Sequence, residues 1–456
     1  MRQVFIIILI LASNIASAQK NEKPQIVAGP MNGYAEHTEA LVWVQTKCAK
    51  QISLKYWPKG ASGKALVQTM KNENAIACNP FISKFVLTGL AMATTYEYQI
   101  ILDENVVALS YPTEFKTKVL WEWRTPPPNF TFMLGSCFYV NDTAYDRPGK
   151  PYGQSLGILK SMTQTPAEFM LWLGDNVYTR EADYSSKSGM MYRYQHTRAA
   201  AELQPFLAKM NHYAIWDDHD FGDNDANKSF EFKETSYDLF KSYWGNKNYG
   251  QNNEGIYSNF RFSDAEFFLC DGRYFRDESD LDEQFFNKTQ LGAAQLSWLK
   301  DKLKHSKASF KFVAIGGQFL NENTDKESYN FYKKERAEII KFIVEQKISG
   351  VVFLSGDRHH TELLKNDKVI ATLGYPLYDL TSSSITAGAS NVASSPEVNN
   401  PQRVAQTLVA ENNYCTISIT GPKRGERTLL LTCYDKNGLV KWGHTIKESE
   451  LKALKP

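Results

Sequence analysis

The sequence predicts a two-part protein, a small all-β unit followed by a layered α/β domain. Three observations carry this. Residues 24–118 hold short runs with a period of two, separated by turn residues. Thr125-Pro126-Pro127-Pro128 then breaks the chain, because three prolines cannot continue a ladder. Beyond it, short apolar runs stop abruptly at Gly, Asp, Asn or His, and helical patterns lie between some of them.

The elements follow in order. Arg2, the apolar run 4–12, polar Ser13-Asn14 and Ala16-Ser17-Ala18 have the layout of a secretory signal over residues 1–18, cleaved near Ala18. The run is too short to span a bilayer, and no later run reaches that length. An exported chain meets oxidising conditions, so its six cysteines are candidates for pairing. Cys415 and Cys433 fall opposite each other in a hairpin centred on residue 424, and a disulfide is expected there. Cys48 and Cys78 form a second candidate pair. The stretches 41–45, 52–56, 85–87 and 95–101 read as strands of a β-sandwich resembling immunoglobulin-like or fibronectin-like modules.

The second unit, 129–450, contains the runs 130–134, 169–173, 213–216, 310–315 and 351–354. Helical periodicity appears at 195–210, 291–303 and 335–346, and antiparallel strands over 414–446. The reading is a layered α/β domain with its chemistry along one sheet edge, where strands end. A net charge of +2 supplies no bulk basic field for nucleic acid. No Gly-x-Ser-x-Gly follows an apolar strand-like run as a nucleophile elbow would, and no Walker loop is present, so neither a serine hydrolase nor a P-loop enzyme is supported. Oligomeric state is not legible.

The strand ends carry the chemistry. They are Gly135-Ser136-Cys137, Gly174-Asp175-Asn176-Val177-Tyr178, Trp216-Asp217-Asp218-His219-Asp220, Gly316-Gly317-Gln318 and Ser355-Gly356-Asp357-Arg358-His359-His360. A carboxylate at a buried strand end does not stay charged without a cation, and Asp175 is read as bridging two metal ions. Three carboxylates within 217–220 repel unless screened. Carboxylates and imidazoles suit hard or borderline cations, and two such ions clamp a phosphoryl group. His219 is the candidate proton donor to a leaving oxygen. Arg198 and Arg358 are candidate phosphate forks.

In this order the motifs resemble the alkaline phosphatase D (PhoD-like) branch of the metallophosphatase, or calcineurin-like phosphoesterase, superfamily. The resemblance extends to Val27-Ala28-Gly29-Pro30, to the 271–277 and 291–299 stretches, and to Asp379-Leu380-Thr381-Ser382-Ser383-Ser384. It implies two packed mixed sheets flanked by helices, preceded by the small β unit. It implies a dinuclear centre of Fe3+ and Ca2+, with Cys137, Asp175, Tyr178, Asp218, Asp357 and His359 as ligands and His219 as the catalytic histidine. Asn224 becomes a candidate phosphate contact. The implied activity is hydrolysis of phosphomonoesters, phosphodiesters or both by in-line attack of a metal-bound hydroxide. Two departures stand out. Gln318 replaces a superfamily histidine, and either of the adjacent Asp217 and Asp218 is the candidate ligand. The rival readings are a purple-acid-phosphatase-like enzyme, whose Gly-Asn-His and Gly-His-x-His motifs are absent, and a binding protein on a decayed phosphatase scaffold.

Overall fold

The structure, a computed structural model, describes residues 22–322, 327–422 and 425–455. The expected leader lies outside the described residues. Before the proline break come β1 (Gln25–Ala35), β2 (Glu39–Lys47), β3 (Gln51–Pro58), β4 (Leu66–Lys71), β5 (Phe81–Thr88), β6 (Thr95–Leu102), β7 (Asn105–Val106) and β8 (Glu114–Lys116). After it come β9 (Phe130–Gly135), β10 (Phe169–Leu173), β11 (Asn211–Ile215), β12 (Ser258–Phe262), β13 (Ala265–Leu269), β14 (Phe310–Ala314) and β15 (Val351–Ser355). The last are β16 (Glu362–Asn366), β17 (Leu377–Thr381), β18 (Asn413–Thr420), β19 (Thr428–Asp435) and β20 (Val440–Lys447).

Three sheets result. β4-β3-β6-β7, with β8 on β6, forms a small sheet. It shares a core with β1, β2 and β5, filled by side chains such as Val42, Ile52, Leu54, Phe85 and Ile100. The residues before the break are therefore two β layers. They are not set apart as the sequence suggests. β1 pairs parallel to β11 at Asn32 and Asn211, which extends one sheet across both parts in the order β20-β19-β18-β9-β10-β11-β1-β2-β5. The junction is short, and Asn32 strengthens it: its amide donates to the carbonyls of Glu114 (2.8 Å) and Ala208 (2.9 Å).

The third sheet runs β12-β13-β14-β15-β17-β16. β9, β10 and β11 are parallel neighbours in the long sheet, as are β13, β14, β15 and β17 in this one. Parallel strands are buried on both faces, which explains their unbroken apolar runs. Phenylalanines join the sheets. The Phe132 ring meets Phe267 at 5.0 Å and Phe312 at 5.2 Å, both edge-on.

Two expectations are corrected here. The 195–210 pattern is not one helix but two, Lys187–Arg198 and Leu203–Lys209. Pro205 is the cause: its ring cannot sit inside a continuous helix, yet it fits the first turn of a new one. The cysteine pairing also differs. Cys415 and Cys433 do face each other across β18 and β19, as the hairpin register requires. They remain free thiols, buried side by side in the apolar core, where thiols pack as small hydrophobes. The disulfide joins Cys48 to Cys78.

Candidate metal centre

The strand ends meet between two sheets rather than along one sheet edge. β9, β10 and β11 deliver Cys137, Asp175 and Asp217–His219 from the long sheet, while β14 and β15 deliver 316–318 and 357–359 from the other. Glycines permit the approach. A Cβ on Gly174 would stand 2.7 Å from the Asp217 Cβ, and one on Gly316 2.5 Å from the Asp217 carboxyl carbon. A Cβ on Gly356 would stand 2.6 Å from Ser136. Gly174, Gly316 and Gly356 are thus points of close contact between the elements that form the site.

Asp220 ties two of these turns together. Its carboxylate accepts the N–H groups of Asn176 (3.0 Å), Val177 (3.1 Å) and Asp217 (3.0 Å). It is structural, although the sequence placed it in the acidic run.

Around these turns the candidate ligands overlap. Cys137, Asp175 and His359 bring ligand atoms within 4.8 Å of one another, as do Asp175, Asp218 and His219. Asp217, Asp218 and Asp357 form a third such group, and Asp218, Asp225 and Glu327 a fourth. The Tyr178 hydroxyl donates to Asp175 Oδ2 (3.0 Å) and lies 3.0 Å from His359 Nε2. The Cys137 sulfur lies 3.5 Å from the same Asp175 oxygen. The carbonyl of Gly388 accepts from His359 Nδ1 at 2.6 Å, which leaves Nε2 facing Tyr178 and the cluster. The His219 ring lies against Tyr178, with centroids 4.3 Å apart.

The electrostatics of this cluster are unbalanced. Burial, and then the charges of Asp218 and Cys137, push the Asp175 carboxyl well above its usual range. Burial pushes the Cys137 thiol up to about 12, against the neighbouring Ser136 and Ser383 hydroxyls. Burial and the Asp175 charge raise the Tyr178 phenol, and burial raises Asp357. Asp218 is the exception. Burial acts to raise it, but His219, Arg273 and the Asp225 N–H together hold it low. Asp218 Oδ1, Asp217 Oδ2 and His219 Nδ1 are buried without a hydrogen-bond partner. Buried carboxylates and orphaned acceptors in one cavity are a poor arrangement for the bare chain. They fit cations, which supply the missing charge and accept those lone pairs.

Asp217 and Asp218 divide their roles. Arg273 Nε donates to Asp217 Oδ1 at 2.6 Å, so much of the Asp217 charge is answered by a guanidinium. Asp217 also caps the short helix Asp218–Phe221. Asp218 belongs to three of the four donor groups, Asp217 to one.

The remaining candidates separate as follows. Asn224 is exposed on the rim and donates to Asp225 Oδ2 at 2.8 Å. Arg358 lines the same groove of about 1170 Å³ and is held by Glu397. Arg198 is not brought to the cluster. It is buried with its guanidinium 3.8 Å from the Trp244 ring centroid and donates to the Tyr243 carbonyl. A desolvated cation there needs a π face and a carbonyl, which explains its burial. Gln318 also turns away, hydrogen-bonded to Glu362 (2.8 Å), Thr381 (2.8 Å) and Asn321 (2.6 Å).

Sequence reasoning missed Asp225, Glu327 and Arg273 as members of the site. Asp225 follows the acidic run by a few residues and was within reach of that signal. Glu327 sits in an irregular connection after β14, where no periodicity marks it. Arg273 grips Glu327 through two bonds (2.9 and 3.0 Å) while holding Asp217, so it closes the acidic face from below.

A family model described as PhoD-like phosphatase matches residues 149–429. The chain belongs to that family. Residues 23–120 match a second family, a domain of unknown function. Alkaline phosphatase D of Bacillus subtilis (strain 168) is 26% identical over 294 residues, covering 54% of this chain and 48% of that protein. The match thus spans about half the length of that curated relative. Among solved structures, one titled as the structure of PhoD has a TM-score of 0.73 at 16% identity, covering 94% of this chain and 91% of that one. The purple acid phosphatase PPD1 from yellow lupin seeds has a TM-score of 0.62 at 11% identity, covering 93% and 74%. At these identities the structural matches establish a shared fold. No helix among the described residues is long and apolar enough to cross a membrane.

Proposed function

We propose that this protein is an exported, metal-dependent phosphoric ester hydrolase that cleaves phosphomonoesters, phosphodiesters or both. The carrying observation is the set of four overlapping donor groups at the paired sheet ends, with buried, unpartnered acceptors on Asp217, Asp218 and His219. Membership of the PhoD-like family supports the chemistry. Cys137, Tyr178 and His359 would hold one cation, with iron(III) suited to the thiolate and phenolate donors. Asp218 and Asp357, with oxygen donors predominating, would hold a second, and calcium suits that set. Asp175 lies between the two sets and would serve both. When bound, the cations neutralise phosphoryl charge and lower the pKa of the attacking water.

The chain's own residues do the rest. Asp175, fixed by Tyr178 and by the His219 N–H (3.4 Å), keeps the two ligand sets in register. His219 lies beside Asp218 and gives a proton to the leaving oxygen. Burial lowers its imidazole pKa, and the adjacent Asp218 carboxylate opposes that shift by favouring the protonated ring. Arg358 lines the groove and presents a guanidinium to a phosphate oxygen. The two-layered β unit braces the long sheet, in the manner of an immunoglobulin-like module. The Cys48–Cys78 disulfide supports an oxidising location.

The test is metal analysis of the purified protein with phosphatase and phosphodiesterase assays of the wild type and Asp175→Asn. About one iron per chain plus calcium, and loss of turnover in the variant, are expected. Unchanged turnover in Asp175→Asn overturns the proposal.

A further inference from the structure

Ser383, just past β17, is fully buried and touches two candidate ligands at once. Its hydroxyl donates to the Cys137 sulfur at 3.1 Å. The same oxygen accepts the backbone N–H of His359 at 2.9 Å. A hydroxyl has one proton, and the geometry sends it to sulfur. The residue is itself immobilised. Its N–H donates to the Thr361 hydroxyl (3.1 Å), and its carbonyl accepts from the Asn413 amide (2.7 Å). Ser136 also approaches the sulfur, at 3.3 Å, but donates its proton to the Ser382 carbonyl at 3.0 Å.

We infer that Ser383 is a positioning residue that sets the donor strength of the Cys137 sulfur and couples it to the placement of His359. A hydrogen bond to a sulfur ligand draws electron density away from the metal and stabilises the sulfur lone pairs. His359 has a left-handed backbone, φ 55°. Holding its N–H keeps the imidazole on the same centre as the sulfur. Ser383 thus links strand ends that are distant in sequence.

The inference rests on Cys137 being a metal ligand, and the experiment separates the two claims. Metal-free protein is loaded with Co2+, and the sulfur-to-cobalt charge-transfer band is recorded. The wild type is expected to show the band, and Cys137→Ser to lose it. Removing the Ser383 donor raises the sulfur lone pairs, so Ser383→Ala shifts the band to longer wavelength, while Ser383→Thr keeps its position. Ser136→Ala leaves it in place. An unmoved band in Ser383→Ala at equal cobalt content overturns the role of Ser383 while leaving Cys137 as a ligand. A wild type without the band overturns both. Should Ser383→Ala not fold, the wild type in D2O gives a second test. The metal–sulfur stretch in its resonance Raman spectrum should shift on deuteration of the O–H···S bond, and an unshifted stretch refutes the inference.

Discussion

Adjacent glycines make opposite predictions. A methyl group placed on Gly316 would stand 2.5 Å from Cγ and Oδ2 of Asp217 and 2.7 Å from Oδ1. Those atoms cannot swing aside cheaply. Arg273 holds the carboxylate at 2.6 Å, and the backbone N–H of Asp217 is bound to Asp220 at 3.0 Å. Gly316→Ala is therefore an overpacking change against a rigid, charged neighbour, at about 2–3 kcal/mol. At roughly 2–4 °C per kcal/mol for a chain of a few hundred residues, the melting temperature falls by several degrees. The displacement also reaches the next residues, Asp218 and His219, so metal content and turnover fall more than stability does. A methyl group on Gly317 meets nothing within 4 Å, and the residue lacks a left-handed φ. Gly317→Ala should leave folding stability within about 1 kcal/mol of wild type, on the stabilising side. Thermal melts, metal content per chain and hydrolysis of p-nitrophenyl esters test the pair. A Gly316→Ala protein with wild-type melting and metal content, or equal destabilisation by Gly317→Ala, refutes the argument.

Three further outcomes are expected. Arg273→Ala leaves Asp217 buried without its guanidinium and Glu327 with Arg276 alone, and costs about 3–5 kcal/mol in urea unfolding, whereas an unchanged midpoint would make that pairing energetically idle. The Glu362 carboxyl is pushed upward by burial, but the His360 and Arg403 contacts outweigh this and hold it at about 2. Its folded pKa is depressed, so its contribution is complete above the ordinary glutamate range and disappears as pH falls through about 2. Glu362→Gln should flatten the acid limb of the stability curve over that interval, and a limb parallel to wild type counts against the network. Peptide mapping without reduction should find Cys48 linked to Cys78 and both Cys415 and Cys433 alkylatable. Reduction should cost about 2–4 kcal/mol, and a mapped 415–433 link would contradict the structure.

Strand ends were legible because parallel strands must be apolar throughout and the motif residues must follow at once. Cys137, Asp175, Tyr178, Asp218, His219, Asp357 and His359 therefore arrive together without any pairing information. What the sequence hid were relations between distant segments. β1 shows no clear alternation, since it is buried almost throughout, and its pairing with β11 joins two parts that the prolines divide in sequence. Arg198 and Arg358 looked alike as cations after helical or strand patterns, and only packing against Trp244 distinguishes the first. Cys415 and Cys433 had the right register, but register alone does not oxidise two thiols. Ser383 was visible as one serine in a row of three, with nothing local to show that its hydroxyl reaches Cys137.

Backbone conformation at the centre explains why so much structure surrounds it. Cys137 (φ 61°), Asp175 (φ 51°), Asp357 (φ 65°) and His359 (φ 55°) all lie in the left-handed region, which costs a non-glycine residue about 1–2 kcal/mol. Four such residues at three turns would not persist on an isolated sheet edge. Three of them are held from outside: the Phe138 N–H donates to the Asp175 carbonyl (2.8 Å), the Ser390 N–H to the His359 carbonyl (2.8 Å), and the Thr386 and Ala387 N–H groups to the Cys137 carbonyl (3.2 and 3.0 Å). The left-handed turn points each side chain back toward its neighbours instead of onward along the strand. That turn brings like-charged and soft donors into one cavity before any cation arrives. The long sheet, the braced β unit and the 384–403 segment therefore serve one physical end: they keep an arrangement that the local sequence alone disfavours.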